Sequence, residues 1–553
     1  MKKLTTSGTT STSIVAALVM LPAALGCGGR PEAWSAPIEQ PVISFGLSGS
    51  VAVLDKPADR VMMLTAEPEQ RLRTRAIATG TNITNAVALP DGSKLFVVSA
   101  GYRARLGEKK LDQSPSLTVI DGAVDPDGRQ PISKRIDLGA VLTDPLSGLA
   151  VDPKGRWLVL YAGGGATKAF VENPNELLIL DLSRDVGADN PVVHTLQSFG
   201  GRPVRLTFTG PLNLPVGRRE LLVVESDQDL SILQLEMPQQ SELTIPLTSG
   251  LDARRLQPAE IAVDDGDPTR NDDARIGVRL QNDRTVITMQ LEPSAGGVGF
   301  KPTLNLTDVG GVPSDINFVR TDGGLRLAAL VPTTSSAVLI DPLTSLTTTV
   351  VLPAPYARLS LVTTADGTAT PVSPSSPSSD VALLWNGGNG KEGIAFWALG
   401  QTAGQPYRSI ETVGVVGVID AVFDVPVPNQ SLKVLKTAGT NAFFVLDLKQ
   451  RTAAPLVTST ANIAMTVSPK GERVWTFTPH GVDLAVVDLI KKHPRTLLLE
   501  RPVQAVHEIS RTDGARALVA VHNAEGVGVT VFDALTGDDA TRRLYAGLLL
   551  GGL

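Results

Sequence analysis

Residues 461–500 hold four short apolar runs separated by tight turns, and this unit recurs along the chain. The runs are IAMTVS, RVWTFT, DLAVVDL and RTLLLE. Pro469-Lys470-Gly471 divides the first two, and Pro479-His480-Gly481 divides the next pair. Glycine reaches positive φ without steric cost, so each turn of this kind closes a hairpin. The first turn returns as Pro90-Asp91-Gly92, Pro153-Lys154-Gly155, Thr321-Asp322-Gly323, Ala365-Asp366-Gly367 and Thr512-Asp513-Gly514. A second mark is an apolar run that closes on an acid, at Asp121, Asp181, Glu236, Glu292, Asp341, Asp447, Asp488 and Asp533. Copies follow one another at about 40–65 residues, the spacing of propeller blades rather than of helical arrays.

Runs such as LFVVSA and WLVLYA are apolar almost without a break. Strands in a sheet covered on both faces read this way. One copy cannot bury both of its faces, so neighbouring copies must stack. The expected fold is all-β: a β-propeller of four-stranded blades over 42–553, with about 8–10 repeats. Two tandem rings are the alternative, because single rings usually hold about 4–8 blades. The 52 Gly and 39 Pro agree with many strands joined by turns. Insertions at 101–114, 211–219, 264–273 and 368–380 lengthen individual copies without marking a domain boundary.

The first residues carry a different signal. Lys2 and Lys3 precede a polar run, and 14–25 are then apolar (IVAALVMLPAAL). That core is too short to span a bilayer of ~30 Å as a helix, but it suits a signal peptide. It ends in Ala24-Leu25-Gly26-Cys27, which resembles the lipobox of bacterial lipoproteins, with Ala24 where Leu is commonest. The resemblance implies that 1–26 is a signal peptide, that Cys27 becomes the acylated N-terminus, and that 27–41 is a tether. The membrane is then a partner through this lipid. Gly28, in place of Asp, implies the outer membrane under enteric-type sorting. The pattern SPKGERVWTF…LAVVDL resembles the YVTN-type, WD40-like propeller repeat. Val97-Val98-Ser99-Ala100 and Thr476-Phe477-Thr478-Pro479 stand near the place of its tetrapeptide. Such repeats serve binding proteins, cell-surface proteins and several kinds of enzyme, so this resemblance implies a fold rather than an activity.

Cys27 is the only cysteine, which excludes an intrachain disulfide and a cysteine zinc site. The formal charge is −6, and −8 without Lys2 and Lys3, the only charges before Cys27. An acidic balance argues against nucleic acid as a partner. The sequence has no Gly-x-Ser-x-Gly elbow, no phosphate loop and no zinc-spaced histidine pair. His507, next to Glu508 on a first strand, is a candidate channel contact, although alternation sends adjacent side chains to opposite faces. Trp157 shares its place after the turn glycine with Lys94, Arg473 and Arg516. It reads as a partner contact or as blade-to-blade packing. Trp475 shares its place with Phe96, Val159 and Leu518, and should be core. Asp264, Asp265 and Asp267 are the candidate ligands for calcium, set against a solvated loop; no other cofactor is expected.

Without a catalytic constellation, the expected function is an envelope-anchored lipoprotein whose propeller binds a protein or glycan non-catalytically. The alternatives are a periplasmic propeller enzyme of lactonase or quinoprotein-like type, whose channel groups need share no linear motif, and a structural component of an envelope complex.

Overall fold

The computed structural model describes residues 38–39, 41–102, 113–123, 133–138, 148–162, 175–184, 190–197, 202–226, 229–249, 254–267, 269–294, 300–321, 323–362, 381–386, 393–399, 409–459, 461, 464–522, 528–534 and 541–547. Cys27, the expected signal peptide, nearly all of the expected tether and the turn at 365–367 lie outside them.

The strands form ten four-stranded antiparallel sheets. In chain order these blades span 44–78, 83–137, 148–195, 203–246, 258–308, 315–351, 358–413, 419–457, 464–498 and 503–545. A two-stranded ribbon, Thr248–Ser249 with Arg254–Arg255, links blades four and five. No α-helix occurs among the described residues, and none of their helices is long and apolar enough to cross a membrane.

Ten apolar clusters account for ten blade-to-blade interfaces. Nine join consecutive blades. The tenth joins Val51, Val53, Met62 and Leu64 of blade one to Val519, Val521, Val529 and Val531 of blade ten. The blades therefore close into a single ring rather than two. Each second strand is buried on both faces, as in Lys94–Ser99 and Arg516–His522, which explains the unbroken apolar runs. Trp475, Phe96, Val159 and Leu518 are all at most 1% exposed, as their shared place in the repeat requires. The first strands approach one another around the channel, and fourth strands such as Ser133–Asp137 and Thr347–Val351 face solvent.

The two repeated marks have separate physical roles. Gly92, Gly155, Gly471 and Gly514 all have φ between +64° and +83° in the turn from first to second strand. We call the side of the ring that carries these turns the upper face. Gly324, which opens the second strand of blade six, has a φ of +94°. The acids close the turn from third to fourth strand. Asp341 accepts the N–H groups of Leu343 and Thr344, Asp447 those of Lys449 and Gln450, and Asp488 those of Ile490 and Lys491.

Two departures from the plain repeat matter for the channel. In blade four, 211–214 and 217–219 extend two strands across the turn at 215–216. Pro203–Leu214 and Gly217–Ser226 form a long hairpin that buries Leu212 and Leu214 against blade five. In five first strands a register shift leaves the second residue out of the ladder: Thr84, Val204, Ala259, Asp420 and Gln504. A bulge of this kind re-aims a side chain.

Candidate functional site: a cavity at the ring seam

Blade one is built wholly from the N-terminal segment and blade ten wholly from the C-terminal one, so no strand is exchanged across their junction. Polar bonds supplement the apolar contact there. The bulged Gln504 turns its amide onto blade one, with its Oε1 accepting from Val42 N–H at 3.1 Å and its Nε2 donating to Val42 O. One side chain thus takes the place of a strand's donor and acceptor. Ser510 N–H donates to Ser48 O at 3.0 Å, and Tyr545 O–H donates to Gln70 O at 2.9 Å.

Above this junction a cavity of about 560 Å³ opens at the upper ends of the first strands of blades eight, nine, ten, one and two. Sites for small ligands commonly occupy about 300–1,000 Å³. Leu47, Pro426, Val467, Pro469, Val506 and Ile509 give it apolar walls. Its polar lining has two parts. His507, Glu508 and Arg516 are deep and already partnered, whereas Asp91 and Lys470 are exposed on turns at blade two and blade nine.

His507 belongs to the seam. Its Nε2 lies 2.8 Å from Ser44 Oγ. A Cβ on Gly46 would stand 3.0 Å from its Nδ1, so a side chain there would press on the ring. Burial pushes its imidazole down to about 4, and it is neutral at physiological pH. Glu508 points the other way, as strand alternation requires. Its Oε2 accepts from Ser468 Oγ of blade nine at 2.7 Å, and it pairs with Arg516. Arg516 also donates to Ser468 Oγ at 2.7 Å and to Glu472 at 3.2 Å.

Trp157 is 3% exposed, inside the interface between blades three and four. Its Nε1–H donates to Glu220 Oε2 at 2.7 Å, and the Arg156 guanidinium lies 4.7 Å from its ring centre. Arg516, in the equivalent place of blade ten, likewise meets an acid of a neighbouring blade, Glu472.

Asp264, Asp265 and Asp267 turn to separate partners. Asp264 pairs with Arg320 at 2.9 Å, Asp265 accepts from Asn213 N–H at 2.6 Å, and Asp267 accepts from Thr269 N–H and Oγ1. Burial pushes the Asp265 carboxyl up to about 6, whereas the Thr269 donors hold Asp267 below the usual range. Among the described residues no three His, Cys, Asp or Glu side chains converge as metal ligands would.

The opposite, lower mouth holds a carboxyl pair that no linear motif announces. Asp315, the first residue of blade six's first strand, lies beside Glu260 of blade five and accepts from Leu359 N–H of blade seven at 2.7 Å. Arg279 Nε donates to Glu260 Oε2 at 2.8 Å. Burial, together with the neighbouring Glu260, pushes Asp315 up to about 8, so it keeps its proton at neutral pH.

No protein-family model matches the chain, and no curated protein does. Solved structures do align. A dihydro-heme d1 dehydrogenase, NirN, is 13% identical over 79% of this chain and 74% of its own, with a TM-score of 0.37. AztD from Citrobacter koseri is 11% identical over 77% and 90%, with a TM-score of 0.34. A periplasmic gluconolactonase of Pseudomonas aeruginosa is 15% identical over 55% and 83%, with a TM-score of 0.28. At these scores the likenesses carry no argument; the propeller reading rests on the ten sheets and their closure.

Proposed function

We propose that this chain is a non-catalytic binding propeller, held at the bacterial envelope by lipid on Cys27, and that its ligand enters the seam cavity. The observation that carries this reading is the cavity itself. It is concave, mainly apolar and backed by a polar floor in which His507 is bonded to Ser44 and Glu508 to Ser468, which is how binding sites are commonly built. The lipobox resemblance supports the address, with the outer membrane as the destination. Native mass spectrometry of protein purified from the envelope tests the cavity. A bound mass is expected on the wild type and not on Lys470→Trp, which fills the mouth from an exposed turn. The same bound mass on both would overturn the assignment. The mass of the mature N-terminal peptide tests the anchor independently: an unmodified Cys27 overturns it.

A second reading, a periplasmic enzyme, draws on the Glu260–Asp315 pair. A carboxyl that stays protonated at neutral pH beside a carboxylate is a form that general acids take. A hydrolysis screen of lactone substrates, with Asp315→Asn as the inactive control, tests it. Activity equal in both proteins removes this pair from the chemistry.

A further inference from the structure

We infer that the seam cavity takes a short linear peptide with free termini, its carboxylate at Lys470 and its ammonium at Asp91. This rests on the cavity being the binding site proposed above. The argument begins with which charges are already satisfied. Glu508 and Arg516, the charged groups of the floor, neutralise one another beside Ser468 Oγ, and neutral His507 is bonded to Ser44. These groups form the floor and have no charge to offer a ligand. Lys470 and Asp91 differ from them: among the described residues neither lies in an ion pair. Asp91 is ionised, because the Ser93 N–H, 2.9 Å from its Oδ1, holds the carboxyl below the usual range.

Their placement sets the ligand's polarity. Lys470 stands on the turn of blade nine and Asp91 on the turn of blade two, with blades ten and one between them. The wall along that path is apolar, with Leu47, Val506 and Ile509 between the prolines Pro469 and Pro90. A ligand matched to this lining has an anionic end, an apolar middle and a cationic end. An unmodified peptide of a few apolar residues has that order of charges, whereas an anion, a cation or a neutral sugar satisfies at most one end. Placing both ligand charges at the rim, in contact with water, also avoids the desolvation that a buried pair would cost.

Isothermal titration of the purified full-length protein with Ala-Leu-Ala tests this. N-acetylation and C-amidation are each expected to weaken binding by about fivefold, the scale of a partly screened charge pair. In Lys470→Met, C-amidation should no longer matter. In Asp91→Asn, which keeps the acceptor for Ser93 N–H, N-acetylation should no longer matter. Equal affinity for the free and both capped peptides overturns the inference, as does absence of binding at millimolar peptide. Either result leaves the cavity reading standing if Lys470→Trp still abolishes the bound mass. If Lys470→Trp retains that mass, the cavity reading itself has failed.

Discussion

Ser44 Oγ and His507 Nε2 stand 2.8 Å apart although 463 residues separate them in the chain. This contact lies where the ring closes, so its loss should be felt by the whole molecule. The imidazole is pushed down to about 4, against an ordinary value near 6.5 in the unfolded chain. Between those values the unfolded state binds the extra proton, so the stability His507 contributes is complete above about pH 6.5 and is lost as pH falls toward 4. Urea unfolding at a series of pH values should show this decline. His507→Gln, which does not titrate and keeps an amide for Ser44, should show a shallower one. His507→Ala should cost about 1–3 kcal/mol at pH 7.5.

Asp315 gives the opposite slope. Its carboxyl is raised to about 8, so from about pH 4 to 8 the folded state holds a proton that the unfolded state has released. Stability from this group is therefore full below about pH 4 and falls as pH rises to 8. Asparagine reproduces the protonated form: its Oδ1 can accept from Leu359 N–H and its Nδ2 can donate to Glu260. Asp315→Asn should leave the melting temperature nearly unchanged at pH 4 and raise it at pH 8.5. A lowered melting temperature at pH 8.5 would refute the shared-proton arrangement.

Trp157→Phe keeps most of the buried ring but removes the donor 2.7 Å from Glu220 Oε2. The carboxylate then loses a hydrogen bond in the interface of blades three and four, at a cost of about 1–3 kcal/mol. In a double-mutant cycle with Glu220→Gln the two losses should be less than additive. Strict additivity would mean that the bond contributes nothing.

Turn glycines with similarly positive φ should differ in tolerance. A Cβ on Gly92 would meet Ser48 N at 2.8 Å, whereas one on Gly514 would meet nothing within 4 Å. Both substitutions incur the left-handed strain of about 1–2 kcal/mol. Gly92→Ala must in addition push blade two away from blade one. Chemical denaturation should rank Gly92→Ala clearly below Gly514→Ala; equal losses would show that the contact yields freely.

These contrasts mark where the sequence was legible. Turn glycines, acid-ended runs and two-sided apolar strands are local, and most copies carry at least two of them, so Ala464–Val467 and its three partner strands could be read directly. The number of copies was visible too, but not that ten would close, because closure depends on the small angle each interface adds. Trp157 was ambiguous because its equivalents Lys94 and Arg473 are polar. Trp157 and Arg516 each reach an acid across a blade interface, which composition does not display. His507 stood out by its first-strand position. Its companions Asp91 and Lys470 sat inside turns that had already been explained as turns. The Glu260–Asp315 pair joins residues of different blades with no shared motif, so only the folded ring brings them together.

The unexchanged seam has a consequence for how such a ring can change. Because every blade is one uninterrupted stretch of chain, duplicating or deleting a single segment alters the circumference without rethreading any other. The seam then acts as the tolerance gauge: Val42, Ser44, Gln504 and His507 can meet only when the blades sum to a full turn. Selection for that handshake would hold the count at ten while individual blades drift apart in sequence.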